Sequence, residues 1–179
     1  MKFFQQGLAG VWLIERVPFL DDRGAFGRHY CEEEFSKHGI MADVRQANLS
    51  ENRYPYTLRG LHYQIEPYGE AKTLSCVSGR IYDVVVDLRK ESTTYMEWIA
   101  VELSSENRNS VHVPSGCANA FLTLEERSVV HYYCSQYYTP EAERGIRFND
   151  PQFNFQWPHE PDVISEKDLS HPDFRDTSL

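Results

Sequence analysis

The sequence predicts an all-β chain, an antiparallel β-barrel or jelly roll with a few short helices and a C-terminal tail. Three observations carry this. Runs rich in β-branched and aromatic residues recur along the chain. Clusters of Gly, Pro, Ser or Asn bound them at fairly even spacing, as in barrels and jelly rolls. Helical patterns are sparse. Of the 179 residues, 41% are hydrophobic and 13% aromatic, enough for one domain over residues 1–179 with a sizeable core.

The first extended candidates are Gly10 to Ile14 and Val44 to Ser50. Glu32 to Lys37 reads as one or two helical turns ended by His38-Gly39. In Arg59-Gly60-Leu61-His62-Tyr63-Gln64, strand alternation puts Leu61 and Tyr63 on one face and Gly60, His62 and Gln64 on the other. Ala71 to Val77 alternates imperfectly. Ser78-Gly79 then turns the chain into the strongly β-forming run Arg80 to Leu88, with Gly where a positive φ is easily met. Glu97 to Leu103, Asn109 to Val113, Ala120 to Leu124 and Ser128 to Ser135 complete the strand candidates. Beyond Pro151 the chain is expected to wrap the barrel surface. Ser165-Glu166-Lys167-Asp168 is expected to open a short terminal helix, with Ser165 as N-cap and Asp168 at the third helical position.

The formal net charge of −9 argues against general nucleic-acid binding, which needs a basic footprint. It leaves room for a phosphorylated small molecule held by a few placed arginines. The apolar stretch near the N-terminus is too short for a signal sequence or a membrane span. Cys31, Cys76, Cys117 and Cys134 lack CxxC spacing and read as reduced thiols. The expected compartment is the cytoplasm.

Small barrels hold ligands among inward-facing side chains, so polar residues alternating into the interior are the functional candidates. His62 reads as a base, a metal ligand or a hydrogen-bonded core histidine. Metal-binding barrels usually offer two histidines two apart on one strand, an acid, and a later histidine. Here the residue two after His62 is Gln64, and Asn119 stands where a later ligand is expected. The spacing therefore favours a proton carrier over a ligand, and no metal is expected. Lys72 is ten residues beyond His62, on what should be a neighbouring strand. It reads either as a surface residue of an edge strand or as an inward ammonium suited to an enolate oxygen. Of Tyr132 and Tyr133 only one can point inward, as packing or as an acid opposite the histidine.

These residues carry a resemblance. The chain resembles the dTDP-4-dehydrorhamnose 3,5-epimerase family, cupin-type barrels acting on nucleotide-linked 4-keto-6-deoxysugars. The likeness runs from about Phe19 to Pro172. Its early markers are Asp22-Arg23-Gly24-Ala25-Phe26, Gln46-Ala47-Asn48-Leu49-Ser50, Arg59 to Gln64, and Lys72. Asp83 to Arg89, Val113-Pro114-Ser115-Gly116, Gly145 to Pro151 and Ser165 to Asp168 continue it. The resemblance implies His62 as general base, Asp168 as the carboxylate that supports it, Lys72 as the residue steadying the enolate, and Tyr132 as the opposing acid. It associates Arg59, Arg23, Phe26, Gln46, Asn48, Asn119 and Tyr138 with the nucleotide, its phosphates or the sugar. It also implies a homodimer with crossing N-terminal strands, and no cofactor.

Two positions depart from the family pattern. The family's Pro-x-Gly-x-Ala-His-Gly-Phe segment reads Pro114-Ser115-Gly116-Cys117-Ala118-Asn119-Ala120-Phe121 here, and Arg28 stands where an acid is frequent. Asn119 can hydrogen-bond but cannot move a proton. Both departures point to an altered substrate rather than lost activity. The alternatives are a sugar-nucleotide 3,4-ketoisomerase, which would lack the Ser165–Asp168 tail, and a non-catalytic sugar-nucleotide-binding barrel.

Overall fold

The computed structural model describes residues 1–40 and 43–175. Its strands in chain order are β1 (Lys2–Gln5), β2 (Trp12–Glu15), β3 (Phe19–Asp21), β4 (Gly24–Phe26), β5 (Gln46–Glu51), β6 (Leu58–Gln64) and β7 (Lys72–Ser78). They continue with β8 (Arg80–Asp87), β9 (Trp98–Ser104), β10 (Ser110–Val113), β11 (Cys117–Thr123), β12 (Val129–Cys134) and β13 (Glu143–Gly145). Helices α1 (Glu32–Ser36) and α2 (Glu166–Leu169) are each barely more than a turn.

Two antiparallel sheets make the barrel, one ordered β1-β2-β10-β7-β12-β5 and the other β13-β6-β11-β8-β9. The β3–β4 hairpin stands apart. Between the sheets lies a core containing Leu74, Ile81, Val85, Leu103, Val111, Phe121 and Val130. On the other face of β8, Val84 and Val86 pack with Leu61, Ile146, Phe153 and Phe155. Being covered on both sides explains why β8 reads as a nearly continuous apolar run rather than an alternating one. The segment beyond Pro151 supplies that cover, as expected. A third cluster seats α1 through Phe35 against Ile14 and Ile40.

The structure departs from the sequence expectations in its short strands and in which strands pair. β1, β3, β4 and β13 were not expected, being only three or four residues long. Ser78-Gly79 turns the chain at a corner between the sheets, since β7 and β8 belong to different sheets. Gly79 has a φ of 74° and presses against Ser128, so a side chain there would be strained and crowded. Likewise β6 and β7 are not neighbours. They lie in opposite sheets, so Lys72 reaches His62 across the barrel rather than along a sheet.

Candidate active site

The site begins with a glycine. Gly60 on β6 has a φ of 108°, and a Cβ there would stand 2.5 Å from the Asn119 carbonyl oxygen of β11. No other residue fits both the conformation and the space. The Gly60–Leu61 peptide is cis. Leu61 then enters the outer apolar cluster while His62 lines a cavity of about 640 Å³. Arg59, Lys72, Asn119, Tyr132 and Asp168 line the same cavity.

Asp168 reaches His62 from far along the chain because α2 is capped as the sequence predicts. The Ser165 hydroxyl accepts from the Asp168 backbone N–H at 3.1 Å. That turn sets Asp168 Oδ1 2.7 Å from His62 Nε2, while Oδ2 accepts from the Gly60 N–H at 3.3 Å. Burial pushes the Asp168 carboxyl up, but the hydrogen bond and charge of His62, the Gly60 amide and Ser165 outweigh it and hold the group below its ordinary range. It is a carboxylate at neutral pH, and a carboxylate only accepts. The proton of a neutral His62 therefore sits on Nε2, leaving Nδ1 as the basic nitrogen.

Lys72 Nζ donates to the His62 carbonyl oxygen at 3.4 Å and pairs with Glu70 at 3.0 Å. It is an inward ammonium, and the edge-strand alternative is excluded because β7 lies between β10 and β12. Tyr132 on β12 stands beside Leu74 of β7 and packs on the inner core. Burial, with the charges of Cys134 and Glu70, raises its phenol pKa against the pull of Arg59, so it keeps its proton. Tyr133 faces outward, its hydroxyl donating to the His29 carbonyl at 3.3 Å. Arg59 is braced by Asn52, Nε to Oδ1 at 2.7 Å. His62 and Tyr132 thus enter one cavity from opposite sheets.

Five predicted residues stand off the cavity wall. Gln46 accepts from the Tyr138 N–H at 2.5 Å, the Tyr138 hydroxyl donates to Glu143 at 2.7 Å, and Asn48 lies 4.0 Å from the Cys134 sulfur. Arg23 and Phe26 belong to the β3–β4 hairpin, where Arg23 pairs with Asp21 and Phe26 is 78% exposed. Arg28 is exposed and pairs with Glu34 at 2.6 Å.

The structure gives roles to further groups at the site. Gln64 clamps the loop after β12, donating to the Tyr137 carbonyl and accepting from the Thr139 N–H. Lys167 lines the cavity and pairs with Glu143, whose carboxyl is pushed up by burial yet held low by Lys167, Tyr138 and His62. Asp83 lies fully buried beneath Asn119. A signal for it existed, since period-two alternation puts Asp83 on the same face as Ile81 and Val85.

His62, Asp168 and His171 place potential ligand atoms within 4.8 Å of one another. Two ligands on one tetrahedral zinc would stand about 3.3 Å apart, given metal–ligand distances of about 2.0–2.1 Å. The 2.7 Å between His62 Nε2 and Asp168 Oδ1 is hydrogen-bond spacing, which an ion would have to open. These residues do not fit a metal as they stand.

Comparison with known proteins agrees with the resemblance. The family model described as dTDP-4-dehydrorhamnose 3,5-epimerase matches residues 5–176. A dTDP-4-dehydrorhamnose 3,5-epimerase from Sinorhizobium fredii is 38% identical over 173 residues, covering 96% of this chain and 89% of the relative. The crystal structure of a dTDP-4-dehydrorhamnose 3,5-epimerase from Elizabethkingia anophelis superposes with a TM-score of 0.94 at 38% identity, over 100% of this chain and 99% of that one. A dTDP-6-deoxy-D-glucose-3,5-epimerase from Legionella pneumophila, in complex with dTDP-4-keto-L-rhamnose, gives 0.89 at 32% identity over 95% and 90%. With this cupin-type barrel and near-complete coverage, the chain belongs to the dTDP-4-dehydrorhamnose 3,5-epimerase family and is an isomerase.

Proposed function

We propose that this enzyme inverts C3, C5 or both of a nucleotide-linked 4-keto-6-deoxysugar, with a dTDP-linked sugar as the first candidate. The observation that carries the reading is the His62–Asp168 pair, its carboxylate buried, facing the same cavity as the Tyr132 phenol and the Lys72 ammonium. A C4 ketone acidifies the protons on C3 and C5, because losing either gives a resonance-stabilised enolate. His62 Nδ1 takes the proton, and Asp168 stabilises the imidazolium that forms. Lys72 stabilises the enolate oxygen; one placed donor is worth about 3–4 kcal/mol. Tyr132 returns a proton from the other sheet, hence on the opposite face of the planar carbon, and the centre inverts. None of these steps calls on a redox cofactor.

Arg59 is suited to a phosphate of the nucleotide. Gln46, Asn48 and Tyr138 fit the rim of the bound molecule better than its reacting end. Arg23 and Phe26 are assigned to a second copy's substrate: the hairpin exposes Phe19, Leu20 and Phe26, at 78, 73 and 78%, and a homodimer would cover them. Among the described residues no helix is long and apolar enough to cross a membrane. A cytoplasmic site of action belongs to the same proposal. The ketoisomerase and silent-binder readings gain no support from the relatives' names.

His62→Ala tests the reading. It is expected to abolish solvent exchange and inversion while leaving nucleotide binding intact. Full activity in that variant would remove His62 as the base.

A further inference from the structure

Asp83 is the deepest carboxyl at the site. It is 0% exposed on β8, among the apolar residues that separate the sheets. Its Oδ1 accepts from Asn119 Nδ2 at 3.1 Å, and its Oδ2 is buried without a hydrogen-bond partner. Burial pushes the carboxyl up to about 7, against the Asn119 hydrogen bond and the charge of Lys72. Above that pH it is a carboxylate and offers only acceptors.

Asn119 sits opposite His62 across the β6–β11 ladder and lines the cavity. Its amide has two unlike ends, and a carboxylate below can bind only the NH₂ end. The carbonyl end is then the one left for the cavity. No donor among the described residues meets Asn119 Oδ1. Around it Arg59, Lys72 and Tyr132 are donors, so an acceptor at this point gives the wall a polarity that a flipped amide would reverse.

We propose that Asp83 is a positioning residue that fixes the Asn119 amide with Nδ2 inward and Oδ1 toward the cavity, so that Asn119 recognises a hydroxyl of the keto-sugar ring by accepting its hydrogen bond. The inference rests on the epimerase reading above and adds a specificity-determining pair to it. Asp83 is fully buried and off the cavity lining, so its hydrogen-bonded route to the substrate is Asn119. A neutral donor at position 119 would instead favour a ring position that carries an acceptor.

The test compares a nucleotide-linked 4-keto-6-deoxysugar with its analogues lacking the C2 or the C3 hydroxyl, at pH 8. KM and kcat are measured together with calorimetric Kd. The wild type is expected to bind the full sugar about three- to tenfold better than one of the analogues, the range of one neutral hydrogen bond. Asp83→Asn frees the amide to turn, and is expected to erase that discrimination in KM and Kd, while any change in kcat from the lost charge near Lys72 falls equally on the three sugars. Asn119→Leu should erase it equally, and the double variant no further. Equal loss of kcat on all three sugars in Asp83→Asn, with discrimination kept, would make Asp83 merely structural and overturn the proposal. So would a wild type that binds all three alike. If no sugar turns over, the epimerase reading fails, and the Kd series still decides the recognition of the hydroxyl.

Discussion

Replacing Asp168 by Asn removes one charge and almost no volume, which makes it the sharpest perturbation of the proposed base. The Asp168 carboxylate is 6% exposed and 2.7 Å from His62 Nε2. In the variant, one end of the amide can still accept from the Gly60 N–H as Oδ2 does now. The NH₂ end then faces Nε2, which must become the acceptor, and the proton moves to Nδ1. The nitrogen that should take the sugar proton is thereby blocked. The imidazolium also loses its counter-charge, worth about 4 kcal/mol for unit charges at close range in an effective dielectric of about 20. Together these predict a fall of about 10³ to 10⁴ in kcat, the scale seen when a supporting Asp becomes Asn and the tautomer is wrong. The assay is the rate of solvent deuterium uptake by the sugar, with nucleotide affinity measured beside it. Uptake within tenfold of wild type, at unchanged affinity, would refute the assignment of Asp168 as the group that sets the tautomer.

Tyr132→Phe keeps the ring and loses the acid, so deuterium should still enter the sugar while inversion falls by about 10² to 10⁴; inversion at the wild-type rate would place the acid elsewhere. Ser165→Ala removes the α2 cap that sets Asp168, and should cost about 1 kcal/mol of stability and lower kcat with it. Unchanged kcat would mean that the turn holds Asp168 without its cap. His112 is buried and held down to about 4, with Thr73 Oγ1 3.0 Å from its Nδ1. Its folded pKa lies below its unfolded value, so its contribution is complete above about pH 6.5 and lost as pH falls toward 4. Between pH 7 and 5 the wild type should therefore lose about 2 kcal/mol relative to His112→Gln in urea unfolding. Parallel stabilities of the two proteins over that interval would contradict it. Asp83, pushed up to about 7, works in the opposite direction in both proteins, gaining stability as the pH falls, and cancels in the comparison.

Much of this site was legible because its chemistry and its strands share a period. Alternation groups His62 with Gly60 and Gln64 in β6 and admits only one of Tyr132 and Tyr133 inward in β12, the resemblance naming Tyr132, and the serine three residues before Asp168 announces the turn that delivers it. What alternation cannot supply is which sheet a strand joins. Spacing alone puts Lys72 on a strand neighbouring that of His62, yet it approaches from the other sheet because the chain changes sheets after β6. The β3–β4 hairpin escaped notice for a related reason. Its strands are three residues each and bury little within this chain, so they leave almost no periodic trace. Alternation places Asp83 on the core face with Ile81 and Val85, but only the fold shows that it is fully buried beneath Asn119.

Proton NMR in D₂O, with the wild-type enzyme and a panel of nucleotide-linked 4-keto-6-deoxysugars, tests the central claim most directly. The account predicts deuterium at C3, C5 or both, with coupling constants that report inversion at the labelled carbon. Binding of these sugars without any exchange would contradict it and leave the barrel as a binder.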